Sequence, residues 1–358
     1  MNEKDYIKGR GAQINTDNRF RKGNAEHYFD DIKNVEEQRA LINTNAPTTF
    51  IEVFPKTILN KVTSPDIPSG YSMNPYQGCE HGCVYCYARN SHEYWDYSAG
   101  LDFEQKILYK KNAAILLAEK LNHKNYIPEN IMLSGNTDCY QPAERKYKIT
   151  QAVLNVLYEY KHPMSIITKN ALIERDIALL ADMAKLNLVH VNFSLTTLDE
   201  KLKRVLEPRT ASVRNALRTI QSLSEKGIPV NVLMAPIIPN LNDHEILPLV
   251  KEVAAHGALS VGYTIVRLNG VLPQLFEDWV VKNYPMKAAA VLDKIKEIHG
   301  GTMNDNRFGT RMRGEGKNAE MIRTQFAIAR KKYLSDRTTP ALDFSLFSPK
   351  GNGQLKLF

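Results

Sequence analysis

Three of the four cysteines in this chain lie within eight residues, in the segment Asn74-Pro-Tyr-Gln-Gly-Cys-Glu-His-Gly-Cys-Val-Tyr-Cys-Tyr-Ala-Arg89. Cys79, Cys83 and Cys86 follow a Cys-x3-Cys-x2-Cys spacing. Three thiolates can ligate three irons of a cubane 4Fe–4S cluster, whereas a closed cluster takes four protein ligands. The fourth iron is then open to a substrate, and an open metal position is typical of a reacting site. The spacing therefore predicts a reactive iron–sulfur centre.

Structural zinc and plain burial are the alternatives for these cysteines. A structural zinc site needs a second ligand pair, but the only other cysteine is Cys139, and the sequence contains no His-x3-5-His pair. Chance clustering is disfavoured because one loop holds all the other cysteines. Gly78 and Gly82 let the backbone approach a cluster closely, and Tyr85 and Tyr87 enclose the third cysteine. The cluster interpretation is therefore preferred.

The composition is that of an ordinary globular protein, with 358 residues, 43% hydrophobic and 24% charged. No stretch approaches the roughly 20 apolar residues that cross a bilayer, and no apolar leader opens the chain. We therefore expect a cytoplasmic protein that does not associate with a membrane. Cysteines gathered in one loop fit a reducing compartment. The net charge is +8, and the segment from Arg307 to Lys332 carries eight basic and two acidic residues. Such a segment suits nucleic acid, but a solvated helix face is an equal alternative.

Strand-like and helix-like segments alternate from about residue 70 to 267, which is typical of βα units around a parallel sheet. The predicted strands are Tyr71–Tyr76, Asn130–Gly135, Met164–Thr168, Val189–Leu195, Val230–Ala235 and Val261–Val266. The predicted helices are Ile107–Leu121, Ala143–Tyr160, Ile173–Leu186, Val213–Lys226, Glu245–His256, Met286–His299 and Lys317–Leu334. Six βα units predict an α/β fold, a partial (β/α)6 TIM-like barrel whose chemistry lies at the carboxyl ends of the strands.

Four parts of the chain follow from these patterns. Residues 1–60 form a polar and irregular N-terminal extension, and residues 61–270 form the barrel. Residues 271–335 form a basic helical extension, and residues 336–358 form a flexible tail rich in proline and glycine.

The cysteine loop and the strand ends behind it resemble the radical S-adenosylmethionine (SAM) superfamily, and within it the spore photoproduct lyase-like branch. The resemblance runs from about Tyr71 to Leu268 and includes the tyrosines beside the third cysteine. It implies the fold above, a 4Fe–4S cluster with three cysteine ligands, SAM, and an electron donor such as a flavodoxin or ferredoxin. The reduced cluster would cleave SAM to a 5′-deoxyadenosyl radical that abstracts hydrogen from a substrate.

The resemblance also implies contacts to the methionyl end of SAM. Thr137 and Asp138, in the segment Ser134-Gly-Asn-Thr-Asp138 after the second strand, would bind its amino group. Lys169, after the third strand, would reach its carboxylate, since a fixed cation suits a carboxylate. Taken singly, these residue types also serve as ordinary helix N-caps or solvated ends of strands.

The remaining implied contacts lie on the next two strands. Ser194 ends the fourth strand and would contact the ribose or the carboxylate, in a stretch followed by Leu206-Glu-Pro-Arg-Thr210 as in relatives. Ala235 and Pro236, in Met234-Ala-Pro-Ile-Ile-Pro239, would flank the adenine with their backbone. All these segments follow the cysteine loop in order at carboxyl strand ends, and this joint placement favours a SAM site.

The chain departs from the lyase at its hydrogen donor. The cysteine that donates hydrogen in the lyase falls at Gly135, and this chain offers Cys139 instead. Cys139 is either a displaced donor or a small buried apolar residue, and the sequence leaves both open. Tyr85 and Tyr87 either relay a radical or shield the cluster, and shielding is preferred.

The chain ends in Gln354-Leu-Lys-Leu-Phe358, which resembles the bacterial sliding-clamp-binding peptide Gln-Leu-x-Leu-Phe. Gln354, Leu355, Leu357 and Phe358 would order in a groove of the clamp. The alternative is that the three apolar side chains dock on the protein's own core.

The favoured function is a radical SAM enzyme that acts on DNA and is recruited through the sliding clamp. One alternative is a radical SAM enzyme that modifies RNA, a protein or a small molecule. The other is a nucleic-acid-binding repair accessory whose cluster is structural or redox-sensing.

Overall fold

A seven-stranded sheet forms the centre of the computed structural model, which describes residues 6–20, 47–67 and 70–350. The strands are β1 Thr49–Val53, β2 Leu59–Lys61, β3 Tyr71–Met73, β4 Tyr76–Gln77, β5 Lys106–Lys110, β6 Ile131–Leu133, β7 Met164–Thr168, β8 Val189–Ser194, β9 Val230–Ile237 and β10 Ser260–Ile265. The central sheet has the order β10-β9-β8-β7-β6-β3-β2. Its strands pair in parallel from β3 to β10, and β2 pairs antiparallel at one edge. The predicted α/β fold with a parallel sheet is confirmed.

Helices alternate with these strands along the chain. Within the described residues, the α-helices are Asp102–Gln105, Ala113–Leu121, Glu144–Tyr147, Ile149–Glu159, Ile177–Lys185, Glu200–Leu206, Val213–Glu225, Ile246–Ala255, Leu272–Asn283, Ala288–Ile298 and Gly316–Tyr333. The same ranges contain 3-10 helices at Tyr87–Trp95, Ala171–Asp176 and Asp243–Glu245. The predicted helix over residues 143–160 divides at Lys148, which has a φ of 51°. None of the helices in the described ranges combines the length and the apolar character needed to span a membrane.

The predicted helix Ile107–Leu121 is wrong in its first part. Residues 106–110 form β5, which pairs in parallel with β1 and antiparallel with β4 in a separate three-stranded sheet. The helix begins only at Ala113. The N-terminal extension also contains short strands, because β1 and most of β2 lie within residues 1–60. The error at residues 106–110 arises because β1 and β5 are far apart in sequence, so a local pattern does not reveal their pairing.

The apolar core lies between the central sheet and the helices that cover it. Ile131, Ile166, Val191 and Val232, one from each of four neighbouring strands, are completely buried. This buried, β-branched set is typical of a parallel sheet covered by helices. The core holds the strands in register and so sets the positions of the loops at their carboxyl ends.

The segment after the last strand spans the gap between the two edge strands of the central sheet. Ile265 donates its backbone N–H to the Met312 carbonyl at 2.9 Å, so this segment lies along β10. Asp66, in the loop after β2, accepts hydrogen bonds from the Gly309 N–H at 2.8 Å and from Arg311 Nε at 2.5 Å. These contacts therefore join the two edges of the central sheet.

The first part of the predicted flexible tail lies against the barrel. Thr339 Oγ1 donates to Asn231 Oδ1 at 2.8 Å, and the Ser348 N–H donates to the Tyr160 carbonyl at 3.0 Å. The Phe347 ring packs edge-on against His162, with ring centroids 5.2 Å apart. The tail therefore contacts the barrel as far as Ser348, and its flexibility stays a prediction. The clamp-like residues Gln354, Leu355, Leu357 and Phe358 lie outside the described residues.

Candidate active site

The three clustered cysteines share one buried loop between β4 and the 3-10 helix Tyr87–Trp95. Cys79 and Cys83 are buried and Cys86 is partly exposed. Burial raises the pKa of all three thiols, and the charges of Cys83 and Cys86 raise that of Cys79 further. The thiols are therefore within electrostatic reach of one another. A thiolate is the form that binds metal, and a bound cation favours that form.

The donor set of this loop fits the group that its spacing predicts. Cys79, Cys83 and Cys86 are free thiols on one loop. Thiolates are the protein ligands of iron–sulfur clusters, and three of them would hold three irons of a cubane.

An internal ion pair holds the backbone of the cysteine loop. Arg89 is completely buried and donates Nε to the Cys83 carbonyl at 2.9 Å and Nη2 to the Gly82 carbonyl at 3.0 Å. Its charge is balanced by Glu104, with Nη2 and Oε1 2.5 Å apart. Charge-assisted hydrogen bonds of this kind are strong. The loop therefore has a fixed shape that does not depend on its own short-range hydrogen bonds.

A segment near the N-terminus lies directly on this loop. Glu104 accepts hydrogen bonds from the backbone N–H of Ala12 at 2.8 Å and of Gly11 at 3.2 Å. A Cβ at Gly11 would lie 1.7 Å from the Gly82 carbonyl oxygen. Only glycine allows this approach of two backbones. The segment is therefore part of the site rather than a loose extension.

Gln141 fixes the loop around the first cysteine. Its side chain is completely buried and accepts a hydrogen bond from the Glu80 N–H at 3.0 Å. It also donates to the Gly78 carbonyl at 3.1 Å. These two contacts lie on either side of Cys79. Gln141 was not predictable as a site residue, because a glutamine after a strand carries no distinctive signal in the sequence.

Asp138 is a hydrogen-bonding centre at the carboxyl ends of the second and third barrel strands. Its Oδ1 accepts from Thr168 Oγ1 and from the Tyr140 N–H, both at 2.8 Å. Its Oδ2 accepts from the Lys169 N–H at 2.8 Å and lies 3.3 Å from His81 Nδ1. Burial opposes the charge, but His81 and the backbone donors keep the pKa of Asp138 low. The carboxylate therefore positions Lys169 and the cysteine loop, and its contact with SAM stays a prediction.

Thr137, Ser194, Ala235 and Pro236 lie at or beside carboxyl strand ends, as predicted. Thr137 is buried and donates Oγ1 to the Tyr76 carbonyl at 2.6 Å. Ser194 is buried at the end of β8. Ala235 and Pro236 lie in β9, joined by a cis peptide bond. Their roles toward SAM stay predictions.

Lys169 belongs to a buried charge network that the sequence analysis missed. Its Nζ lies 3.3 Å from Glu207 Oε1, and Lys203 Nζ lies 2.6 Å from Glu207 Oε2. Thr196 Oγ1 donates to Glu207 at 2.7 Å, and the Tyr85 hydroxyl donates to the same carboxylate. Burial and the charge of Glu207 raise the pKa of Tyr85. Glu207 was visible in the sequence as part of Leu206-Glu-Pro-Arg-Thr210, but nothing in that pattern identified its two lysine partners.

Tyr87 lies over the position where the lyase-like pattern puts its donor cysteine. Its hydroxyl donates to the Gly135 carbonyl, and 55% of the residue is exposed. A Cβ at Gly135 would lie 2.4 Å from Ser72 Oγ. Ser72 therefore fills the space that a side chain at this position would need. Whether Tyr85 and Tyr87 shield the cluster or relay a radical stays a prediction.

Cys139 is completely buried in the main apolar core. Its backbone N–H donates to Ser134 Oγ at 2.8 Å. Burial raises the pKa of its thiol, and the nearby charges of Asp138 and Glu144 act in the same direction. The packing favours the buried apolar alternative over the predicted hydrogen donor.

The radical SAM superfamily model matches residues 73–253 of this chain. An uncharacterised protein of Mycobacterium tuberculosis, strain H37Rv, is 35% identical over 240 residues, which is 66% of this chain and 71% of that protein. An uncharacterised protein of Methanocaldococcus jannaschii is 26% identical over 250 residues, covering 70% and 89%. The chain therefore belongs to the radical SAM superfamily.

Solved structures agree with this assignment at the level of the fold. A spore photoproduct lyase complexed with a dinucleoside spore photoproduct has a TM-score of 0.59 and 14% identity, and the match covers 80% of this chain and 79% of that one. A variant of that lyase with bound AdoMet has a TM-score of 0.58 and 14% identity, with the same coverage. The superfamily implies a 4Fe–4S cluster and SAM, and the chain is a radical SAM enzyme.

Proposed function

We propose that this radical SAM enzyme acts on DNA and binds a 4Fe–4S cluster through Cys79, Cys83 and Cys86, with one iron open to SAM. The observation that carries the cluster assignment is the grouping of three thiols on one buried loop, with the fourth cysteine in the apolar core. When bound, the cluster and SAM supply the one-electron chemistry that starts hydrogen abstraction. The protein contributes orientation and exclusion of water.

The charge network around Lys169 supports its predicted role toward the SAM carboxylate. Glu207 has a second buried cation, Lys203, on its other oxygen. Lys169 can therefore turn toward a ligand carboxylate without leaving Glu207 uncompensated, which would otherwise be costly. Asp138 holds the Lys169 backbone in place through the Lys169 N–H.

The remaining SAM contacts complete this proposal. Thr137 and Asp138 would bind the amino group, and Ser194 would contact the ribose or the carboxylate. Ala235 and Pro236 would flank the adenine. Their common position at the carboxyl edge of the sheet supports this assignment, since ligands of such folds bind there.

Charge and fold similarity support DNA as the substrate. The net charge is +8, and residues 307–332 carry eight of the basic side chains. The lyase of similar fold is complexed with a dinucleoside spore photoproduct, which contains the nucleoside units of a nucleic acid. Glycine at position 135 argues against an identical hydrogen donor. We therefore propose a DNA substrate with a different terminal step.

Anaerobic reconstitution with iron and sulfide, followed by dithionite and SAM, tests the cluster assignment. We expect 5′-deoxyadenosine to form, and we expect the Cys83→Ala variant to lose both the iron and this product. The matched variant Cys139→Ala should keep both. Iron-loaded protein that forms no 5′-deoxyadenosine would favour the repair accessory with a structural or redox-sensing cluster.

Product analysis with DNA, RNA and peptide mixtures tests the substrate. We expect SAM-dependent change only in DNA, and we expect DNA affinity to fall steeply with salt because phosphate contacts release counterions. A modified RNA, peptide or small molecule would establish the alternative radical SAM function. Replacing dithionite by a reduced flavodoxin or ferredoxin would identify the electron donor. We also propose that the protein is located in the cytoplasm.

Recruitment through the sliding clamp is a further part of the proposal. The carrying observation is the terminal sequence Gln354-Leu-Lys-Leu-Phe358. Deleting these residues should abolish binding to a purified bacterial clamp in surface plasmon resonance and leave cluster loading unchanged. The matched Lys356→Ala variant should bind like the parent. Undiminished binding after the deletion would refute recruitment by this motif.

A further inference from the structure

Arg267 follows the carboxyl end of the last barrel strand, and its guanidinium Nε has no hydrogen-bond partner among the described residues. The backbone N–H of Val266 donates to the Ile237 carbonyl at 2.9 Å, and that of Leu268 donates to the Met303 carbonyl at 2.9 Å. The backbone of Arg267 is thus tied down on both sides. Its Nε is buried, and in the part of the chain that the structure describes it has no hydrogen-bond acceptor. A buried donor without a partner is costly and calls for an explanation.

The acidic residues near Arg267 already have other partners. Asp66 accepts from Arg311 Nε at 2.5 Å. Asp305 accepts from Arg307 Nε and Nη2, both at 3.0 Å. Burial and the charge of Arg311 lower the pKa of Arg267, against the opposing effect of the two aspartates. Of Arg267, Arg307 and Arg311, Arg267 is therefore the one without an ion pair to a carboxylate of the described residues.

Two exposed aromatic side chains lie beside this arginine group. The Tyr87 hydroxyl is within electrostatic reach of both Arg267 and Cys86, which connects Arg267 to the cysteine loop. Phe308 is 58% exposed, and its ring lies 4.4 Å from the Arg311 guanidinium carbon. Exposed aromatic faces suit unstacked bases, and a guanidinium suits a phosphate.

We propose that Arg267 binds a phosphate group of a nucleotide substrate, with the base against Tyr87 or Phe308. This inference rests on the proposed action on DNA and assigns the residue that holds the substrate backbone. The fork of guanidinium donors matches phosphate oxygens. Among the described residues, the two aspartates near Arg267 already pair with Arg311 and Arg307, so they do not compete for it. The carboxylate of SAM is assigned to Lys169, so the two anions have separate cations.

Binding of thymidine 5′-monophosphate and of thymidine to the iron-loaded, SAM-bound protein tests this inference by anaerobic titration calorimetry. Because the two ligands differ only in the phosphate, the ratio of their affinities measures the contribution of the phosphate group to binding. We expect the parent to bind the monophosphate about tenfold more tightly or better, the range expected for a charge-assisted hydrogen bond. Arg267→Gln should bind both equally, and Arg267→Lys should show a reduced preference because it lacks the planar fork. Arg218→Gln, a control on the exposed side of a distant helix, should keep the full preference.

The measured affinity ratios either support or overturn the phosphate site at Arg267. A full phosphate preference in Arg267→Gln, or no preference in the parent, would overturn it. If Arg267→Gln does not load iron, Arg267→Lys replaces it: a reduced preference for the monophosphate over thymidine would support the inference, and a full preference would overturn it. An Arg267-dependent preference in a protein that changes no DNA would preserve the phosphate site and refute the DNA substrate. Formation of 5′-deoxyadenosine without nucleotide reports on the cluster independently.

Discussion

Lys169 and Glu207 form a buried ion pair behind the cysteine loop, with Nζ and Oε1 3.3 Å apart. Lys203 Nζ lies 2.6 Å from the other carboxylate oxygen, Oε2, and the Tyr85 hydroxyl also donates a hydrogen bond to Glu207. Burial would raise the pKa of Glu207, but the two lysines and the tyrosine keep it well below its ordinary value. This carboxylate therefore links the third strand end, the helix Glu200–Leu206 and the cysteine loop.

Glu207→Gln should destabilise the protein strongly. The change keeps the shape of the side chain but leaves the buried Lys203 and the partly buried Lys169 without this counter-charge. Breaking a buried pair in this way costs about 3–5 kcal/mol. Urea unfolding at neutral pH measures the loss. Glu225→Gln, at an exposed helix end, should change the free energy of unfolding by less than about 0.5 kcal/mol. Equal effects of the two changes would show that Glu207 has no such role.

Glu104→Gln should loosen the N-terminal segment on the cysteine loop. The carboxylate balances Arg89 and accepts the N–H groups of Gly11 and Ala12, so its loss weakens all three contacts. Hydrogen exchange should become faster at Ala12, and iron content after reconstitution should fall. Glu119→Gln, on an exposed helix face, should leave both unchanged. Unaltered protection at Ala12 would contradict this role.

Cys139→Ala should leave the chemistry intact. The thiol lies in the apolar core, so we expect a loss of stability of about 1 kcal/mol and unchanged formation of 5′-deoxyadenosine and product. Thermal unfolding and product assays measure the two effects. A variant that still cleaves SAM but no longer completes the reaction on its substrate would restore the hydrogen-donor role.

His162 should make stability depend on pH below neutrality. Burial lowers its pKa to about 4, while its Nε2 bonds the Tyr126 hydroxyl at 2.8 Å and its Nδ1 bonds the Pro163 carbonyl at 2.8 Å. The unfolded chain takes up a proton near pH 6.5, so the contribution of neutral His162 is present above that pH and is lost as the pH falls toward 4.

The stability difference between the parent and His162→Gln tests this expectation. It should shrink by about 2 kcal/mol between pH 7 and pH 5, as measured by urea unfolding, because each pH unit below the unfolded pKa is worth about 1.4 kcal/mol. The exposed His123→Asn change should show no such slope. A constant difference for His162→Gln would mean that the imidazole is protonated in the folded protein at pH 5.

The sequence by itself determined the cysteine spacing, the alternation of strands and helices, and the order of polar segments behind the strands. These features are local, because thiol spacing and hydrophobic period are set by neighbours in the chain. The family model and the parallel sheet confirm the two conclusions drawn from them, the superfamily and the α/β fold. The assignment of residues 106–110 to a helix failed because their strand partner is remote.

Only the tertiary structure decided which charges meet. Glu104 and Gly11 are 93 residues apart, and no local pattern reports their contact. The same holds for the two lysines that contact Glu207. It also holds for Arg267, whose Nε has no hydrogen-bond partner among the described residues. The burial and ion pairing of a charged side chain depend on which distant loops the packed sheet brings together. The free energy of that charged group in turn depends on how far it is buried and paired. The cysteines that are proposed to ligate the cluster could therefore be predicted from the sequence, whereas the residues that hold their loop in place could not.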